Sequence, residues 1–68
     1  MKEIKINEEF IKLTQILKFA ELVSSGGEAK MVVLEGLVKV NGEVEIRKGK
    51  KIYREDIVEY DNEKIIIK

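Results

Sequence analysis

The chain has 68 residues, 44% hydrophobic and 38% charged, and its 13 Lys+Arg balance 13 Asp+Glu. That describes one small folded domain, from 1 to 68, rather than a disordered polyelectrolyte. With no Cys and no His, the sequence excludes disulfides, a thiolate nucleophile, a zinc finger and an imidazole proton shuttle. A domain of this size has little room for both a core and a deep preorganised pocket, so an enzyme is not expected, nor a small-molecule substrate or cofactor. No stretch reaches the roughly 20 apolar residues that span a bilayer, and the opening MKEIKINEEF lacks the apolar run of a secretory signal. A soluble, cytoplasmic protein is expected.

Lys2 to Ile6 alternates charged and apolar residues, which predicts a short strand with Ile4 and Ile6 facing in. Asn7, Glu8 and Glu9 suit a turn and a helix start. The first helix is predicted from about Lys12 to Leu22, because Leu13, Ile16, Leu17 and Ala20 recur at helical spacing and form one buried stripe. Lys12, Gln15, Lys18 and Glu21 fall largely on other faces. Ser24-Ser25-Gly26-Gly27 separates this helix from a second. Ser25 and Glu28 have the spacing of a capping box, in which each side chain satisfies an orphaned backbone N–H. The second helix is predicted to run to about Glu35, with Ala29, Val32 and Val33 inward, and Gly36 ends it.

From Leu37 the period falls to two. Val38 and Val40, then Val44 and Ile46, flank Asn41-Gly42, a strong hairpin signal. A strict two-residue loop would set Val40 opposite Glu43 and Lys39 opposite Val44. A three-residue loop avoids that mismatch, so a bulged hairpin is expected. Asp56–Tyr60 and Lys64–Ile67 read as a further antiparallel pair. With Asn62-Glu63 as the loop, Asp61 faces Lys64, Tyr60 faces Ile65 and Val58 faces Ile67, like against like. The predicted fold is α+β: a short N-terminal strand, two packed helices, then a small antiparallel sheet.

Three groups of residues could carry function. Arg47, Lys48, Lys50, Lys51 and Arg54 place five positive charges within eight residues, with Gly49 marking a turn. Acids follow directly from Glu55 to Glu63, so the chain is polarised although its net charge is zero. Such a cluster can steer a polyanion, and it can equally be a solvated loop whose lysines guard a strand edge. The Ser24–Gly27 segment gathers backbone N–H groups at a positive helix end, where Lys30 could add a contact to a phosphate. A tight turn with a capping box explains the same residues. Tyr53, beside the basic run, could stack on a base or pack locally. Phe10 and Phe19, in apolar settings, read as core.

The ordered set Leu13, Leu17, Ser25, Ala29, Gly36, Val38, Val40, Asn41 and Gly42, followed by a basic turn and an Asp before a strand, resembles the S-four RNA-binding domain, named for small-subunit ribosomal protein four. GGEAK and EGLVKVNGEVEIRKGKKI most resemble the short stand-alone bacterial members, often called YaaA-like or YbcJ-like. Where many members carry Gly before that Asp, this chain has Glu55, a difference at a turn. The resemblance implies two packed helices and a hairpin that present one basic surface to structured RNA. Carried over by position, the surface uses Lys12 and Lys18 from the first helix, Ser25, Gly26, Gly27 and Lys30 from the second, and Arg47, Lys48, Lys50 and Lys51 from the turn. The implied partner is structured RNA, ribosomal first of all, bound by a monomer with a role in ribosome assembly. The competing reading is a small adaptor whose basic face docks on an acidic protein, or whose Ile65-Ile66-Ile67 edge pairs with another chain. Duplex DNA is disfavoured, since no helix has the basic outer face that would enter a major groove.

Overall fold

The computed structural model describes all 68 residues. In chain order the elements are β1 (Lys2–Ile4), β2 (Ile11–Lys12), α1 (Leu13–Phe19), α2 (Gly26–Leu34), β3 (Lys39–Val40), β4 (Glu43–Val44), β5 (Lys51–Ile52), β6 (Ile57–Tyr60) and β7 (Glu63–Ile67). The expected α+β architecture is present, and β1, β7, β6, β3 and β4 lie side by side in one five-stranded sheet. Four strands pair antiparallel, while β1 joins β7 in parallel, Lys2 opposite Ile65 and Ile4 opposite Ile67. A second, two-stranded sheet pairs β2 with β5.

All 15 buried side chains are apolar and belong to one cluster, so no buried polar side chain needs a partner. Leu13, Ile16 and Leu17 of the first helix and Ala20 at its C-cap join Ala29, Val32 and Val33 of the second, as their spacing predicts. Val38, Val40, Val58, Ile65 and Ile67 close the core from the sheet. Ile4 and Ile6 are half-buried against it.

The first helix is shorter than its periodicity suggests, and Asn7–Glu9 form a bend rather than its first turn. Beyond Ala20 the chain leaves the helix through Glu21, which takes a left-handed φ of 58°. The Leu22 N–H donates to Leu17 O at 3.0 Å and the Glu21 N–H to Lys18 O at 2.9 Å. This is the Schellman arrangement, in which backbone donors beyond the helix satisfy its last carbonyls. Leu22 then packs on the core and Val23 is buried. The second helix ends in the same way at Gly36, φ 77°, with the Leu37 N–H donating to Val32 O at 3.1 Å. One cap uses glycine as expected. The other uses glutamate, where a side chain costs about 1–2 kcal/mol.

Both hairpin registers differ from expectation. The first is not bulged: Lys39 pairs with Val44 and Val40 with Glu43 across a strict two-residue loop. Asn41 and Gly42 have φ of 51° and 86°, the positive pair that a type I′ turn requires. The mismatch of apolar against charged is tolerated because β4 is an edge strand lying outside the core, where Val44 is 56% exposed. In the last hairpin the loop is Asp61-Asn62, with φ of 53° and 65°, rather than Asn62-Glu63. Val58 therefore meets Ile65 and Glu59 meets Lys64. The type I′ backbone and burial of the Val58–Ile65 pair decide this register. Ile65-Ile66-Ile67 is not an edge either, since β7 lies between β1 and β6. That removes it as a pairing site for another chain.

Glu21→Gly should stabilise the domain by about 0.5–1 kcal/mol, because relief of the left-handed side chain exceeds the extra chain entropy of glycine. Urea unfolding at neutral pH measures it; a destabilised variant would mean that the Glu21 side chain contributes something beyond occupying the cap.

Candidate nucleic-acid interface

The basic run folds as two consecutive turns with β5 between them. Lys50 N–H donates to Arg47 O at 3.1 Å, closing a turn through Lys48 and Gly49, and Asp56 N–H donates to Tyr53 O at 3.1 Å. Asn41 and Asp56 anchor both turns to the sheet. The Asn41 side chain donates to Asp56 Oδ1 at 3.0 Å and accepts from Ile57 N–H at 2.9 Å, while Asp56 Oδ2 accepts from Tyr53 N–H at 2.8 Å. The Asn41-Gly42 end of the motif is therefore structural. The Asp expected ahead of a strand serves to aim Tyr53 and the residues before it.

The buried pair Ile11–Ile52 sets the geometry of the site. Because alternate residues of a strand face opposite ways, burial of these two places their neighbours Lys12 and Lys51 opposite each other on the outer side. Leu13 N–H donates to Lys50 O at 2.9 Å, tying the start of α1 to the end of the basic turn. Lys12 and Lys51, 39 positions apart in the sequence, thus share one patch.

The five charges of the run are not equivalent. The Arg47 guanidinium is latched on Glu45, with Nε 2.9 Å from Oε2 and Nη2 3.0 Å from Oε1, and Arg47 N–H also donates to Oε2 at 3.0 Å. These bonds hold the Glu45 carboxyl down at about 2 and raise the Arg47 guanidinium. Arg54 faces elsewhere: it donates to Ile6 O at 2.7 Å and Lys68 O at 3.0 Å, strapping the two ends of the chain together. Arg47–Glu45 and Lys68–Glu55 are the only ion pairs. Lys12, Lys48, Lys50 and Lys51 form no ion pair, although Lys50 adds to the field that holds Glu45 down. Arg47, Gly49, Lys50, Lys51 and Tyr53 line an open hollow of about 390 Å³.

The helical wall is built differently from the expectation. Ser25 Oγ accepts from Glu28 N–H at 3.1 Å, as a capping box requires. The Glu28 carboxylate, however, reaches Ser24, accepting from its N–H at 2.8 Å and its hydroxyl at 2.9 Å, and these bonds lower its pKa. Lys18 lies near this wall: a Cβ added to Gly26 would stand 3.9 Å from the Lys18 Cδ. Lys30 is exposed on α2.

The aromatic residues depart most from their sequence reading. Phe19 is not core but 64% exposed, and Phe10 is only half-buried. Phe10 packs against Tyr53, their ring centroids 6.1 Å apart and tilted by 52°, and the Lys51 ammonium sits 4.7 Å from the Phe10 centroid. A cation over a ring face is held by about 0.5–1 kcal/mol at an exposed site. Phe10 thus belongs to the basic site, and in the sequence only its position just ahead of Ile11 hints at that.

A family model described as the S4 domain matches residues 4–68. The chain is 45% identical over 58 residues to the Bacillus subtilis (strain 168) protein named "Probable ribosome maturation protein RlbA", covering 85% of this chain and 82% of the relative. Its fold matches the crystal structure of the 30S ribosomal protein S4e from Thermoplasma acidophilum with a TM-score of 0.70 and 25% identity. That match covers 85% of this chain and only 31% of the ribosomal protein.

Since Glu45 is held near 2 instead of the usual 4.5, its latch on Arg47 contributes stability that is full above about pH 4.5 and is lost as pH falls towards 2. A carboxyl-detected NMR titration should place the Glu45 midpoint near 2, and Arg47→Lys should return it towards 4.5. A wild-type midpoint near 4.5 would show that the two side chains are not latched in solution. Asp56→Ala should cost about 1–2 kcal/mol and speed amide exchange at Tyr53, as read by hydrogen exchange.

Proposed function

The chain belongs to the S4 domain family, and from that premise we propose that it is a non-catalytic RNA-binding protein whose basic face holds structured ribosomal RNA during ribosome maturation. The observation that carries the reading is the Lys12–Lys51 pair. Like charges directly opposite one another on neighbouring strands destabilise a sheet, and no carboxylate of the protein neutralises these two. A phosphate lying across the pair converts the repulsion into two charge-assisted contacts. Lys48 and Lys50 extend the same patch along the turn, with Arg47 fixed at its margin by Glu45.

Lys18, Ser25, Gly26, Gly27 and Lys30 form the second wall of the proposed face, with Lys18 reaching it from α1 beside Gly26. Phosphate contacts of this kind supply affinity and register, and an A-form helix is recognised chiefly by shape. The proposed protein acts as a cytoplasmic monomer and has no small-molecule substrate. No helix is long and apolar enough to cross a membrane. The names of the relative and the structural match, a ribosome maturation protein and a ribosomal protein, support ribosomal RNA as the partner.

If about five lysines each neutralise one phosphate, affinity for ribosomal RNA should fall with salt along a log–log slope of roughly −3 to −5. The double variant Lys48→Glu, Lys50→Glu should weaken binding at least about tenfold and flatten the slope by about two, with the circular dichroism spectrum unchanged. A slope near zero in the wild type would sink the electrostatic mechanism. Association with cell components that persists after nuclease treatment would transfer the face to an acidic protein partner.

A further inference from the structure

Beside the Lys12–Lys51 pair lies a groove of about 440 Å³ whose lining includes Ile4, Ile6, Phe10 and Phe19 together with Lys12 and Gln15. We propose that this groove is a pocket for one unpaired nucleobase, so that the protein selects RNA in which a nucleotide is extruded next to the phosphates held by Lys12 and Lys51. The proposal rests on the RNA-binding reading above and adds to it a base-binding subsite.

Phe19 is the first argument. A phenylalanine that is 64% exposed in a chain with only four aromatic residues gives up burial that a small core could use. Three of those four stand beside lysines of the patch, Phe19 with Phe10 and Lys12 along the groove and Tyr53 against Phe10 under Lys51, while Tyr60 packs on the core cluster. Apolar and cationic lining side by side match a nucleotide, which offers a flat π face and a phosphate about one sugar apart. The groove runs directly into the proposed phosphate patch, since Lys12 belongs to both. Its charge also fits: Lys5 and Lys12 outnumber the single lining carboxylate, Glu8.

Gln15 adds a polar handle. Its Oε1 accepts from Lys12 N–H at 3.2 Å at the start of α1, which leaves the amide NH2 as the group it can offer to a base edge. Bases in a perfect A-form helix are stacked and their faces inaccessible, so only an unpaired nucleotide can enter. Lys51 occupies one face of Phe10, so the base would rest mainly on Phe19 and against the edge of Phe10.

The test uses the full chain and two RNA hairpins of the same stem, one perfectly paired and one with a single bulged 2-aminopurine. Wild-type protein should bind the bulged hairpin about five- to tenfold more tightly and quench its fluorescence by stacking. Phe19→Ala, at an exposed position, should abolish preference and quenching while leaving the affinity for the paired hairpin and the salt slope unchanged. Lys48→Glu with Lys50→Glu should weaken both hairpins alike and keep the preference. Equal wild-type affinity for the two hairpins, without quenching, would overturn the base pocket and leave the phosphate face standing. Failure to bind either would overturn both. Sedimentation showing a dimer that Phe19→Ala dissolves would also overturn it, because a second copy would then fill the groove.

Discussion

The pairing of two-residue strands β2 and β5 is the constraint on which the rest depends. Ile11 and Ile52 are buried in the core, and their burial commits Lys12 and Lys51 to opposite places on the outer surface. The domain has few apolar residues to spare, so this arrangement is paid for by the core on one side of the strand pair and left electrostatically unfavourable on the other. Leu13 N–H bonding to Lys50 O carries the same contact into the start of α1. The helix that supplies Lys18 and Gln15 is therefore oriented by the contact that assembles the lysines.

Around that contact the two arginines of the basic run are set apart from the lysines by their hydrogen bonds within the protein. Arg47 and Arg54 look equivalent to the lysines in a charge count, yet one is held by Glu45 and the other straps Ile6 to Lys68. Guanidinium groups suit such fixed, multi-bond roles, whereas an ammonium on a flexible stem remains available to a ligand. Asn41 and Asp56 then fix the turn bearing these groups to β6. Lys12 stands beside an exposed Phe19 and a half-buried Phe10, so charge and apolar surface adjoin at this end of the domain.

Five residues other than glycine adopt left-handed backbone conformations: Glu21, Asn41, Glu55, Asp61 and Asn62. Asn and Asp tolerate that region in type I′ turns, but the two glutamates do not gain from it. Glu55 stands where many members of the family carry Gly, and its φ of 76° explains why a glycine suits the position. Its N–H donates to Ile67 O at 2.7 Å, so the turn it strains also ties β7 to the segment before β6.

The helices, their inward faces, the glycine cap at Gly36 and the α+β class were legible in the sequence, because each rests on periodicity or on the chemistry of residues adjacent in the chain. The resemblance carried by VNG and RKGKK gave the family in the same way. Hairpin registers were not legible. Cross-strand matching favoured a bulge at Asn41-Gly42, but β4 lies at the sheet edge, where nothing buries Val44 and local turn backbone prevails. The surroundings of Phe10 and Phe19 were equally hidden, since only the packed fold shows which apolar residues the core has room for. The basic run was visible from the start as five charges in eight residues. The structure decided which of them are free: Glu45, two residues away, holds Arg47, while the tertiary fold binds Arg54 to Ile6 and Lys68 and, through burial of Ile11 and Ile52, brings Lys12 across to Lys51.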